Sequence, residues 1–516
     1  MKRMKKLISL LVTLAMILAM SVTAFAEETF SITINNSATE HTYEAYQIFS
    51  GTISGNKLTN IQWGTGITEA GKTALQNKYD TAETKSATGV ADALTEDNKI
   101  QFAKDVAGYL DTVAGSANTV SDGNYVISGL SAGYYLVKDQ NNSLTGVDDA
   151  YTSYIVKVVD NTPVDPKSAK PTVDKQVYDE TGDAEAGATN GWGESADHAI
   201  NESFQFKLIA NLPVDTDFAA YEKYKVVFTD TMSAGVTFES IASVTVDGVG
   251  VSEDQYNCTA TTGQAGGSWT LTINDIKGIS GVNLNDGAEV VVIYNAHLNE
   301  NAQVNHESGN TTNKNTVSLQ YSNNPTVTGE HAGEELGQTA EDHVWVFTYE
   351  VDNTKVDATD SENKTPLAGA GFKLYDSTGT TEIGLIYDAS LSAYRPVKSG
   401  ETAVEMTSAE TTGEFKIKGL DAGTYVLKET TVPSGYNKCA DTTIVINATH
   451  VEAADGASAT TTLNSDSNMT NTIENKQGST LPSTGGIGTT IFYVIGTILV
   501  LGAGVLLIAK RRMSRQ

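Results

Sequence analysis

The sequence predicts an all-β protein made of tandem sandwich domains, with short helices inserted in the first. Short runs rich in Val, Ile, Thr, Tyr and Phe recur along the chain between Gly, Asn and Asp turns. Helical spacing is confined to one stretch, about residues 68–110. The 516 residues also exceed what one core fills, roughly 250 to 300 residues, so several domains are expected.

The chain opens with Met1-Lys2-Arg3-Met4-Lys5-Lys6, an apolar run from Leu7 to about Met20, and Ala24-Phe25-Ala26. A basic start, a short apolar stretch and a small-x-small site describe a secretory signal peptide, residues 1–26. In the first domain, 27–162, Phe30-Ser31-Ile32-Thr33-Ile34 alternates as a strand and Tyr43 to Phe49 gives a second. Ile100, Phe102, Ala103, Val106 and Leu110 then fall near helical spacing, which predicts one or two short helices. Strands return at Tyr125-Val126-Ile127, Gly133 to Val137 and Tyr154 to Val159.

Residues 163–171 hold Pro163, Pro166 and Pro171 and read as an extended connector. The middle domain, 172–343, carries strands at Lys225 to Thr229, Gly235 to Phe238, Trp269 to Ile273, Glu289 to Tyr294 and Asn315 to Leu319, with no long helix. The third, 344–478, is again all β, from Val344-Trp345-Val346 to Thr443-Ile444-Val445-Ile446. Residues 123–138 and 413–428 share one pattern of strand, Gly-Leu turn and strand, so the first and third domains read as divergent copies.

Composition narrows the function. The formal net charge is −29, and removing both ends strips eight basic residues and no acid, leaving a body that repels nucleic acid and anionic lipid. The seven His residues are scattered, no HExxH or GxSxG occurs, and Cys258 and Cys439 make no metal spacing. The expectation is a non-enzymatic protein with no cofactor, no metal and no disulfide framework.

The last segment, 479–516, sets Leu481-Pro482-Ser483-Thr484-Gly485 before an apolar stretch, Ile491 to Ala509, and then Lys510-Arg511-Arg512. The stretch is long enough to span a bilayer, and the basic tail is a positive-inside stop. This order resembles the cell-wall sorting signal of Gram-positive surface proteins. The resemblance implies that a sortase cysteine attacks after Thr484, that residues 491–509 hold the chain in the membrane transiently, and that it ends covalently attached at the surface.

Tyr425-Val426-Leu427-Lys428-Glu429-Thr430-Thr431-Val432-Pro433-Ser434-Gly435-Tyr436 resembles the E-box of Cna B-type pilin domains, YxLxETxAPxGY, departing only at Val432. The resemblance implies immunoglobulin-like, Cna B-type sandwiches and a bond between a first-strand lysine, here Lys355, and a last-strand asparagine, here Asn475, with Asn471 as the fallback. A lysine is ordinarily protonated at neutral pH. Burial should lower its pKa and raise that of Glu429, so that a neutral amine attacks the amide while the protonated carboxyl polarises it. Ammonia leaves once, without turnover.

Residues 171–177 and 319–325 similarly resemble the first and last strands of a middle pilin domain, which implies a Lys175–Asn323 bond with Asp230 as the acid and Asn324 as an alternative acceptor. Lys167, in Val164-Asp165-Pro166-Lys167-Ser168, resembles the lysine of the pilin motif YPKN without its flanks, and Lys170 competes for the role. Asp139 stands where Glu would sit in the first domain and Phe30 to Ile34 holds no Lys, so no cross-link is expected there. The whole resembles the shaft subunit of a sortase-assembled pilus. The expected partners are other copies of itself, pilus and housekeeping sortases, minor pilins, peptidoglycan and a host ligand. A monomeric wall-anchored adhesin, or a minor tip or base pilin, would share the anchor and the E-box; only the connector lysine separates them.

Overall fold

The computed structural model describes residues 28–478 and 487–513, apart from residues 96, 167–168, 180–189, 215–217, 219, 285–286, 306–308, 311–312 and 453–457. The chain divides into two compact units. The first runs to Glu350 and also takes Lys418–Ala422 and Ile446–Ser467; the second holds Val351–Ile417, Gly423–Val445 and the chain from Asn468 on.

At the start of the first unit, Phe30–Ile34 pairs antiparallel with Tyr125–Leu130 and parallel with Thr162–Val164. A second sheet runs in the order Lys57–Trp63, Tyr43–Ser54, Gly133–Asp139, Ser153–Val158. Strand alternation sends Tyr135 and Val137 into a core shared with Ile32, Ile34 and Ile127, and Leu136 to the opposite face. There it meets Leu75, Val90, Phe102 and Val106 from the helices, so this sheet is covered on both sides.

Three helices, Glu69–Tyr79, Ala87–Asp92 and Lys99–Ala107, stand where one or two are expected. The extra break lies at Asp80, whose carboxylate accepts from the Ala82 and Ser86 amides at 2.9 and 2.8 Å, and Ser86 then caps the second helix through Gly89 N at 3.0 Å.

Further along the first unit, the strand Val226–Val246 serves two sheets. Through Met232 it lies between Ala265–Ile273 and Lys314–Ser322. From Val236 it pairs with Glu289–Leu298, which leads through Ser203–Asn211 to Thr172–Tyr178. A register break between Met232 and Thr237 lets the strand bend from one sheet into the other. The inward faces bury Phe206, Leu208, Phe228, Trp269, Val292 and Leu319 in one core. Lys175 and Asp230 therefore point into that core from different sheets.

In the second unit, the strand ending at Asp357 pairs in parallel with Thr470–Asn475. The other sheet carries Gly371–Tyr375, Gly423–Thr431 and Thr442–Ile446 side by side. Phe372 stacks on Phe415 at 4.6 Å between the two sheets. The two segments that share the strand, Gly-Leu, strand pattern make the same crossing: Tyr125–Leu130 and Glu414–Leu420 lie in one sheet of their sandwich, and the strands that follow them lie in the other.

The last helix, Ile487–Met513, contains a span from Ile491 to Arg511 that is long and apolar enough to cross a membrane, none of it buried in the protein. Lipid is the environment such a surface requires.

Candidate functional site

The second unit assembles the E-box trio. In the parallel pair, Lys355 lies level with Ile473 and Asp357 with Asn475. Alternation puts Asn353, Lys355, Asn471, Ile473 and Asn475 on the buried face. Lys355 Nζ donates to Asn475 Oδ1 at 2.6 Å, and Asn475 Nδ2 donates to Glu429 Oε1 at 2.7 Å. The Lys355 amine is 3.5 Å from the same carboxylate, and both side chains are wholly shielded from solvent. Glu429 reaches across from the opposing sheet, its second oxygen held by the Cys439 amide at 2.9 Å. Asn471 is turned to Asn353 and Asn468 instead, so the geometry places Asn475 at the amine.

The first unit builds a similar site from four strands. Lys175 is fully buried on Thr172–Tyr178, and its amine donates to Asp230 Oδ2. Phe206 and Tyr294 wall the amine, with ring centroids 5.2 and 5.5 Å away. The Tyr294 hydroxyl donates to Asp230 Oδ2 at 3.0 Å and accepts from Asn315 Nδ2 at 2.5 Å. Burial draws the Lys175 amine below its ordinary value, outweighing the opposing pull of Asp230. It pushes the Asp230 carboxyl up, outweighing Lys175 and Tyr294. Both shifts run toward the neutral amine and protonated acid that amide exchange needs.

Asn323, the acceptor expected for Lys175, is held by other partners. Asn323 Nδ2 donates to the carbonyls of Leu144 and Asp149 at 3.0 and 3.2 Å, pinning the 144–151 loop. Asn324 donates to Glu335 at 2.8 Å. Along Lys314–Ser322, Asp230 opposes Val317 and Met232 opposes Asn315. Asn323 follows Val317 by six residues, roughly 20 Å of strand, whereas Asn315 is one inward position away. The signal was present in the sequence: counting back by twos from the apolar Tyr321, Leu319 and Val317 reaches a polar residue at an inward position.

In the first domain, Asp139 is buried against His41 rather than a lysine. His41 Nδ1 lies 2.7 Å from Asp139 Oδ1, and His41 Nε2 lies 3.1 Å from Asp149 Oδ2. Thr152 donates to the other Asp139 oxygen through both its amide and its hydroxyl. Burial alone would lower the His41 pKa, but the two carboxylates together raise it to about 9.

Lys167 and Leu481 to Gly485 lie outside the described residues. Lys170 is described: its half-exposed amine pairs with Asp148 at 2.7 Å. Both cysteines are free.

Residues 352–462 match the SpaA family of prealbumin-like fold domains, and residues 473–514 match the LPXTG cell wall anchor motif. Together they define a cell-wall-anchored surface protein that carries a SpaA-type prealbumin-like domain. Over 95% of this chain and 96% of the relative, the sequence is 24% identical to the trypsin-resistant surface T6 protein of Streptococcus pyogenes serotype M6. The solved T6 backbone pilin of that organism is similar in fold, at a TM-score of 0.51 and 18% identity over 88% of this chain and 99% of that one. The full-length major pilin SpaD of Corynebacterium diphtheriae aligns over 88% of this chain and 98% of its own, at 18% identity and a TM-score of 0.46.

Proposed function

We propose that this protein is the shaft subunit of a covalently polymerised surface pilus, braced by internal Lys175–Asn315 and Lys355–Asn475 bonds. The observation that carries this reading is the pair of fully buried lysines, each held against a carboxyl group within a cluster that also contains an asparagine amide. A buried lysine beside an acid is expensive as an ion pair alone. It is well suited to a bond formed once.

In each site the amine nitrogen bonds to the amide carbon and the carbon–nitrogen bond of the asparagine breaks. One amine proton stays on the new amide, the other reaches the departing nitrogen, and ammonia leaves. The carboxyl group, Asp230 or Glu429, manages that proton and is regenerated. No turnover follows, so the protein acts as building material rather than as an enzyme.

Between subunits, a pilus sortase cleaves after Thr484 and transfers its acyl group to a connector lysine of the next copy, Lys167 or Lys170. Lys170 must first leave Asp148; Lys167 is preferred because it follows Pro166 as the lysine of the pilin motif follows its proline. A housekeeping sortase then joins the fibre to peptidoglycan, with minor pilins and a host ligand as further partners. Fibres extracted from the native cell surface and boiled in detergent should give a ladder of multimers that Lys167→Ala abolishes and Lys170→Ala retains. A single wild-type band would overturn the polymer.

A further inference from the structure

The two buried sites differ at the atom that must receive a proton. In the second unit the departing nitrogen, Asn475 Nδ2, touches the carboxyl directly at 2.7 Å. In the first unit Asn315 Nδ2 meets the Tyr294 hydroxyl at 2.5 Å, and that hydroxyl meets Asp230 Oδ2 at 3.0 Å. A tyrosine is thus interposed between acid and leaving group. Tyr294, Asp230 and Asn315 are all fully buried, so solvent does not supply a bypass.

We infer that Tyr294 is a catalytic residue of the Lys175–Asn315 reaction, its hydroxyl passing a proton from Asp230 to the departing nitrogen of Asn315. The inference rests on the cross-link reading above and goes beyond it by naming a fourth participant. As the Lys175 nitrogen bonds to the Asn315 side-chain carbon, the hydroxyl gives its hydrogen to Nδ2 and takes the one carried by Asp230. Asp230 recovers its proton from the Lys175 amine, with which it is already hydrogen-bonded. The carbon–nitrogen bond breaks, ammonia departs, and the tyrosine and the acid end as they began. Burial holds the phenol far above its ordinary pKa, so it hands protons on without resting as a phenolate. The ring is fixed for this by Phe206, Phe238 and Trp269, with centroids 5.2, 5.7 and 5.1 Å away.

The test is Tyr294→Phe in the full secreted chain, which keeps the ring and removes the relay. Mass is followed over time after a synthesis pulse. The wild type loses two ammonia molecules. The variant should lose one promptly, from the Lys355–Asn475 site, and the other at least about 100-fold more slowly, the low end of what a positioned acid–base group contributes. Prompt loss of both overturns the relay. A wild type that never loses the ammonia of the Lys175–Asn315 site sinks that cross-link itself, and the relay with it. If Tyr294→Phe fails to fold, fluorotyrosine at position 294 preserves shape and hydroxyl while making the phenol more acidic. The rate of ammonia loss from the Lys175–Asn315 site should then change while that from the Lys355–Asn475 site does not, and an unchanged rate at Lys175–Asn315 overturns the proposal.

Discussion

Lys355 Nζ and Asn475 Oδ1 lie 2.6 Å apart in a core that excludes water, on parallel neighbouring strands 120 residues apart in sequence. A covalent bond at that point closes nearly the whole second unit into one loop. Its value for stability follows from the chain it constrains.

Glu429→Ala should leave this bond unmade. By the chain-entropy estimate for a cross-link closing a loop of this size, the loss is about 4 to 5 kcal/mol. It should appear as a lower unfolding temperature for the second unit in calorimetry, together with one retained ammonia in the intact mass. An unchanged unfolding temperature would show that the bond does not carry the unit's stability.

Asn315→Ala and Asn323→Ala should separate chemistry from packing. The first should abolish the Lys175 bond and leave Lys355–Asn475 intact. The second should leave both bonds in place and cost about 1 to 3 kcal/mol, by stranding the Leu144 and Asp149 carbonyls that Asn323 satisfies. Peptide mapping reads the bonds and denaturant unfolding reads the stability. The opposite pattern would restore Asn323 as the acceptor.

The His41 clamp carries a pH dependence. Its pKa is raised from 6.5 to about 9 in the folded chain, so its contribution is fully present below pH 6.5 and is lost as pH rises through about 9. Asp149 works from the other side: burial would raise its pKa, but His41 lowers it further, so its share is lost only on strong acidification. The unfolding temperature of the first unit should therefore fall between pH 6.5 and 9, and His41→Gln should flatten that slope. An equal slope in the variant would assign it to other groups.

The second site was legible because the E-box fixes Glu429 and the resemblance it carries names a first-strand lysine, Lys355, and a last-strand asparagine, Asn475. The first was legible only in part. Lys175 and Asp230 follow from the resemblance of their segments to a middle pilin domain, but the acceptor depends on which inward residue of Lys314–Ser322 comes level with Asp230. That register is set by the pairing of Asp230 with Val317, a tertiary fact. Tyr294 read as one more apolar residue of Glu289–Leu298, since nothing local marks a hydroxyl that bridges two other strands. The bridge from His41 to Asp139 and Asp149 was hidden for the same reason: its partners are 98 and 108 residues away. The all-β class, the anchor and the helical insertion needed only local pattern; the signal peptide, residues 1–26, lies outside the described residues.

The most direct test is peptide mapping of the mature protein by tandem mass spectrometry. Two branched peptides are predicted, one joining Lys175 to Asn315 and one joining Lys355 to Asn475, each lighter by one ammonia than the sum of its parts. Linear peptides carrying unmodified Lys175 and Lys355 would contradict the account.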